Sequence, residues 1–364
     1  MKNTFGTNIS LTVFGESHGA EIGCVLDGLP AGLPVDEDFI AHQLTLRRPA
    51  GRISTSRQEP DPVRMVSGVF QGKTCGTPIC FLIPNTQTQS KDYAATYGLA
   101  RPGHADYTAF AKYHGCEDYR GGGHFSGRIT AGVVAAGALA LDVLQKKGIR
   151  IATHVKRCAK VNDRDFEDFS QDWKTLQERP FAVLDEAAAE GMKRSIEAAA
   201  ANGDSVGGVL ETRIEGLPCG VGEPWFDSVE SMLSHALFGI PAVKGIEFGD
   251  GFAMADGTGS TCNDALRYEA EKVVTTTNHN GGLNGGITNG MPVVFRCAIK
   301  PTPSIVQPQD TIHLLKEENA TLSLVGRHDP AIVHRARVVV DSMAAVVLCD
   351  LLASRFGNEW LREA

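Results

Sequence analysis

Four segments of the chain set reactive polar side chains among glycines, at a density that core packing does not require. The first, Gly15-Glu16-Ser17-His18-Gly19, follows a β-branched run and holds an imidazole between small neighbours. A histidine with an ordinary pKa near 6.5 can give or take a proton at physiological pH. The second runs from Arg47 to Arg64 and supplies Arg47, Arg48, Arg52, Arg57 and Arg64, with Pro and Gly breaking any regular helix. Guanidinium forks suit phosphate and carboxylate oxygens, although most charged runs are solvated loops. The third joins Arg101-Pro-Gly-His104-Ala-Asp106-Tyr107 to Tyr119-Arg120-Gly-Gly-Gly-His124-Phe125-Ser126-Gly127-Arg128. Three glycines ahead of a helix could turn backbone N–H groups toward an anion, with Ser126 as a cap. The fourth gathers Asn278–Gly290, the run Lys300-Pro301-Thr302-Pro303-Ser304, and Gly326-Arg327-His328-Asp329-Pro330. Read by themselves, these segments describe a binder of phosphorylated anions with histidines available for proton transfer. They do not specify a reaction.

Positioning such groups needs a frame. Ile9–Phe14 and Ile22–Leu26 read as neighbouring strands, and Arg64–Phe70 and Pro78–Pro84 as strands with a hairpin-sized connection. From Ile129 to Lys147 almost every helical face is small or apolar, which predicts a buried central helix ended by Gly148. Further helices are predicted over 185–202, 226–238 and 338–356, and strands over 206–214 and 292–300. Strands followed by a long helix, twice over, predict an α+β fold with helices sandwiched by sheets. No linker or fixed-period repeat interrupts the 364 residues, so one domain over 1–364 is expected.

Bulk properties restrict the function. A formal charge of −8 gives no attraction toward nucleic acid or an anionic membrane, so neither is expected as a partner. Any anionic ligand must be held by a local concentration of arginine. Nine scattered cysteines without a CxxC pair read as reduced structural thiols, with no metal site. The first residues lack the apolar core of a signal peptide, and no uninterrupted apolar run nears ~20 residues. A soluble cytoplasmic protein is the expectation.

Ordered motifs along nearly the whole chain resemble the chorismate synthase family. They are FGESHG at 14–19, RRP at 47–49 with RQEPD at 57–61, SGVFQGKTCGTPI at 67–79, SKDY at 90–93 and RPGHADYT at 101–108. DYRGGG at 118–123, GDSVGG at 203–208, AVKGIEFGDGF at 242–252, KPTPSI at 300–305 and GRHDP at 326–330 continue the series. The resemblance implies a β-α-β sandwich with long central helices between antiparallel sheets. It also implies a lyase that converts 5-enolpyruvylshikimate 3-phosphate to chorismate and phosphate by anti-1,4-elimination, the last step of the shikimate pathway. Reduced FMN, delivered by an external NAD(P)H-dependent reductase, would be the cofactor, and the enzyme would be a homotetramer.

Site roles follow from the same resemblance. His18 would protonate the departing phosphate, His104 would stand by the flavin, and Asp329 would take part in proton removal, with Ser17 in the same pocket. Arg47, Arg48, Arg52 and Arg128 would grip the substrate. His124, Phe125, Ser126, Pro241, Ala242, Gly285, Lys300, Pro301, Thr302, Pro303, Ser304 and Arg327 would contact the flavin. Two departures stand out. The family's Arg-Ser-Ser-Ala-Arg after the triple glycine is His124-Phe125-Ser126-Gly127-Arg128 here, and its Asn-Ala is Pro241-Ala242. Proline has no N–H, so a contact at Pro241 would have to use its carbonyl. A flavoprotein oxidoreductase and a non-catalytic flavin-binding module are the competing readings.

Overall fold

The computed structural model describes residues 2–49, 51–54, 60–86, 96–324 and 329–362, with the side chain of Arg52 left aside. Two five-stranded antiparallel sheets form its outer layers. In the first, Thr4–Phe5, Ser10–Gly15, Glu21–Asp27, Ile79–Pro84 and Arg64–Ser67 lie side by side in that order. In the second the order is Val243–Phe248, Val293–Ile299, Gly208–Glu215, Arg150–Cys158 and Val161–Asn162. Alternation drives both. Val293, Phe295, Cys297 and Ile299 are buried while the residues between them are half-exposed, the period of two expected of a sheet with one covered face.

Helices Thr130–Lys146 and Val333–Phe356 pack against each other between the sheets. The first leans on the Glu21–Asp27 and Ile79–Pro84 strands, the second on Arg150–Cys158. Nearly all of their residues are buried, so neither shows the one-sided stripe of a surface helix. They approach closely at Gly137, where a Cβ would lie 2.6 Å from Ser342 Cα and 2.7 Å from its carbonyl oxygen. Gly127–Lys146 is long and apolar enough to cross a bilayer, but 89% of its most apolar stretch is buried inside the protein. One continuous apolar cluster joins strands of both sheets to the central helices. Asp350 fastens the N-terminal segment to this centre, its carboxylate accepting the amides of Thr7, Asn8 and Ile9.

The antiparallel sandwich and its long helices match the fold expected from the sequence. The last helix begins at Val333, five residues earlier than the apolar run at 338 suggested, because His334, Arg335 and Arg337 are polar yet sit on helical turns. His334 and Arg337 are buried, and a pattern reading counts such residues as exposed. Arg150–Cys158, a central strand of the second sheet, gave no sequence expectation because Lys, Arg, Thr and His interrupt it.

Candidate active site

The triple glycine forms a tight turn inside Arg120–Phe125, with Gly121, Gly122 and Gly123 all at positive φ (59°, 85° and 53°). Two imidazoles close on it from the elements it faces. A Cβ on Gly121 would overlap the His18 ring, and one on Gly122 would lie 3.1 Å from both Cε1 and Nε2 of His104. Glycine is needed here for backbone conformation and for space together. The sequence suggested that these glycines offer amides to an anion. In the structure the Gly122 N–H is donated to Tyr119 O, and the missing side chains of Gly121 and Gly122 make room for two histidines.

His18 lies in the turn after strand Ser10–Gly15 and is 7% exposed. The Ser17 amide donates to Gly123 O at 3.1 Å, and its hydroxyl donates to Arg120 O at 3.1 Å. With that hydrogen spent, Ser17 Oγ is left to accept from His18 Nδ1, 3.1 Å away, so the neutral ring keeps its hydrogen on Nδ1 and Nε2 is the nitrogen that takes up or gives away a proton. The spacing Gly15-x-Ser17-x-Gly19 is also that of a nucleophile elbow, but here it joins strand to strand, and the hydroxyl is tied to a carbonyl. Asn85 braces the same turn by donating to Glu16 O and Gly19 O. His124 adds a further tie, its Nδ1 donating to Gly15 O at 2.8 Å.

His104 precedes the Asp106–Tyr113 helix. Its Nδ1 lies 2.6 Å from Asp106 Oδ1, and Arg101 grips the same carboxylate through Nη2 at 2.7 Å and Nε at 2.8 Å. Burial opposes ionisation of Asp106, but hydrogen bonds from Arg101 and His104 outweigh it and hold the carboxyl well below the usual carboxylate range. Lys300 Nζ donates to Gly103 O, which brings the 300–304 run against the loop that carries His104. Lys300 N in turn donates to Ala242 O at 3.0 Å, with Ala242 at φ 76°, so Pro241 and Ala242 adjoin the same corner. Thr302 Oγ1 is buried without a hydrogen-bond partner, and Ser304 is buried close to it in sequence.

The arginines form a separate layer. Arg47 and Arg128, both buried, converge on Asp61, itself 5% exposed and at φ 48°. Arg47 also donates to Thr130 Oγ1 at 3.0 Å and Gly127 O at 2.8 Å, and Arg128 to Asn85 Oδ1 at 2.9 Å. Both were expected to grip the ligand directly. In the structure these donors reach protein acceptors, which builds the pair into a framework beside the pocket. Arg48 reaches Pro60 O, while its buried Nε has no partner. Asp329 pairs with Arg335 at 2.5 Å, and Arg335 Nε donates to Arg47 O at 3.0 Å, so residue 329 joins the site through the arginine layer.

Ser17, His18, His104, His124 and Ser126 thus surround one glycine turn, with 241–242 and 300–304 adjoining and Arg47, Arg48, Arg128 and Asp329 linked behind. Phe125, 36% exposed, lies at the rim. Gly285 is not among them. It lies in the turn of the Leu283–Thr288 hairpin, which leads into the Val293 end of a strand whose other end carries Lys300. Arg327 lies outside the described residues, as does the side chain of Arg52. Asn85 and Arg335 were missed from the sequence, since isolated Asn and Arg residues carry no spacing signal, and Asp61 was in view only as the end of the RQEPD motif, with no role assigned.

A family model described as chorismate synthase matches residues 9–353. The chorismate synthase of Lachnoclostridium phytofermentans is 46% identical over 359 residues, covering 98% of this chain and 96% of that relative. That of Thermococcus kodakarensis is 44% identical over 350 residues, covering 96% of this chain and 97% of its own. A crystal structure of chorismate synthase superposes with a TM-score of 0.76 at 29% identity, over 97% of this chain and 94% of the other.

Proposed function

Because this chain belongs to the chorismate synthase family, lyases of aromatic biosynthesis, we propose that it converts 5-enolpyruvylshikimate 3-phosphate to chorismate and phosphate with reduced FMN as cofactor. The observation that carries the reading is the seating of His18 and His104 on adjacent glycines of one turn. In the 1,4-elimination the C3–O bond to phosphate breaks, a proton leaves C6, and a second ring double bond forms without net oxidation. His18, with Nδ1 committed to Ser17, can deliver a proton from Nε2 to the departing phosphate. Asp329, oriented by Arg335, supplies a carboxylate for the proton-removing side. Arg48, Arg52 and Arg327 are the cations assigned to substrate or flavin oxygens, and Arg47 and Arg128 form a layer on Asp61 beside Arg48 in the chain.

The residues present fit a flavin. Thr302 Oγ1 and Arg48 Nε are buried polar atoms without protein partners, the first two residues from Lys300, whose N–H donates to Ala242 O, the second in the arginine layer. His124, Phe125, Ser126, Pro241, Ala242, Lys300, Pro301, Pro303 and Ser304 would complete the seat, with Gly285 assigned by likeness alone. When bound, reduced FMN supplies the electron density that eases loss of phosphate. His104, with Nδ1 against the Asp106 carboxylate, stands beside that seat.

The proposal extends to a single functional domain, a cytoplasmic location, a homotetramer, and reduced flavin from a separate NAD(P)H-dependent reductase. Trp225, Phe226, Phe252 and Tyr268, each at least 79% exposed, give apolar surface for contacts between copies. Anaerobic incubation of substrate with photoreduced FMN should release one phosphate per chorismate, and oxidised FMN should release none. Consumption of NAD(P)H in step with product would point to the oxidoreductase instead. Absence of phosphate in both arms would leave only a binding module.

A further inference from the structure

We propose that Asp106, clamped by Arg101, is a positioning residue that fixes the tautomer of His104, so that the neutral ring carries its hydrogen on Nδ1 and turns an unprotonated Nε2 toward the Gly122 turn. The inference rests on the placement of His104 in the active site but not on the identity of the substrate. Its geometry is a fork on a single carboxylate. Arg101 contributes its backbone N–H at 2.9 Å and Nε at 2.8 Å to Oδ2, and Nη2 at 2.7 Å to Oδ1. From the histidine side Oδ1 is met by Nδ1, at 2.6 Å. Arg101 is a permanent donor and has no acceptor. An acceptor lone pair on Nδ1 would therefore face an anion at hydrogen-bond distance, whereas an N–H there completes the fork. The 3.2 Å approach of Arg101 Nη2 to Nδ1 is the consequence of both donors converging on one oxygen.

Two further features make the assignment specific. The carboxylate stays charged, because Arg101 and His104 outweigh the burial that opposes ionisation. Gly122 leaves the opposite edge of the ring clear of its own side chain: a Cβ there would stand 3.1 Å from both Nε2 and Cε1. The two imidazoles of the site are then set alike by different means. A serine oxygen accepts from Nδ1 of His18 and a carboxylate from Nδ1 of His104, and both rings work through Nε2. The difference lies in charge, since an anion faces the His104 ring and a neutral hydroxyl faces that of His18.

The test is histidine-selective ¹⁵N labelling of the flavin-free protein and assignment of ring protonation by long-range ¹H–¹⁵N correlation, with His104→Gln used to assign the signal. In wild type the neutral His104 ring should show its hydrogen on Nδ1. Asp106→Asn, which can turn its NH2 toward the ring, should move that hydrogen to Nε2, leave the His18 signals in place, and lower kcat about tenfold or more with KM within about twofold. Asp106→Glu, which restores a carboxylate, should return the hydrogen to Nδ1 and recover part of kcat; it also serves if the Asn variant does not fold. A His104 spectrum unchanged by Asp106→Asn, or an Nε2–H ring in wild type or in Asp106→Glu, would overturn the proposal. If instead His104→Gln turned over like wild type, the role of His104 in the reaction would fall while the tautomer assignment stood.

Discussion

His18 and His104 owe their places to atoms that are absent. Gly121 and Gly122 sit at positive φ and leave no side chain where the two rings lie. Gly121→Ala would put a methyl into the His18 ring and strain the backbone at φ 59°. Such a variant is expected to fold with reduced stability and to lose at least as much activity as His18→Ala. Removing a positioned acid or base slows turnover roughly 10²–10⁴-fold, so His18→Ala and His104→Ala should each fall in that range in the phosphate-release assay. Activity within twofold of wild type for both would remove them from the chemistry. The two histidines that meet at this turn were legible as candidates, because each stands among glycines in the sequence. Their supports were not. Asp61 gathers Arg47 and Arg128, and Asn85 ties Arg128 to the His18 turn, through contacts made across 14 to 69 positions of sequence. Asp106 was in view as part of the His104 motif, but only its distance to Nδ1 shows what it does.

Among the elements, the two central helices set the spacing of the sheets and hence of the loops that carry the site. Their crossing at Gly137 and Ser342 admits no added carbon. Gly137→Ala should therefore destabilise by about 1–3 kcal/mol, the usual effect of overpacking a filled core, despite alanine's better helix propensity. A denaturant midpoint equal to or above that of wild type would show that the helices can move apart freely. Gly132 is a useful comparison: its nearest foreign atoms would be 3.1 Å away, on Gly23, and alanine there should be better tolerated. The Thr130–Lys146 helix was plain in the sequence because it is apolar on all faces. The start of Val333–Phe356 was hidden, since His334 and Arg337 are buried by partners distant in sequence: Ser54 for the one, the carbonyl of Leu176 for the other. Pattern reading registers polarity, and polarity that is answered inside the fold looks the same as polarity left in water.

For the molecule as a whole, buried histidines make folding stability depend on pH from two directions. His334, at the start of the long central helix, is pushed down to about 4 by burial and by the neighbouring Arg335 charge, with Asp329 opposing. A base whose folded pKa is depressed stays neutral while the unfolded chain takes up a proton. Its contribution is therefore lost as pH falls from the ordinary value near 6.5 toward 4. A difference of that size is worth about 3 kcal/mol once both states are protonated. His154 works the other way. Burial opposes its charge, but hydrogen bonds to Asp163 at 2.7 Å and Glu211 at 3.3 Å outweigh that and raise its pKa. Its stabilisation is present below pH ~6.5 and lost as pH rises through the folded value. Unfolding free energies of wild type and His334→Gln, measured between pH 7 and pH 4, isolate the His334 contribution from those of His154 and the titrating carboxylates, which are common to both. Glutamine can keep a hydrogen bond to Ser54 but cannot be protonated, so the wild type should lose about 3 kcal/mol more than the variant across that interval. Parallel curves would mean that His334 takes up its proton in the folded state, with the helix start opening to water. The arginine layer that joins Asp329 to Arg47 through Arg335 would then be the first part of the site to loosen in acid.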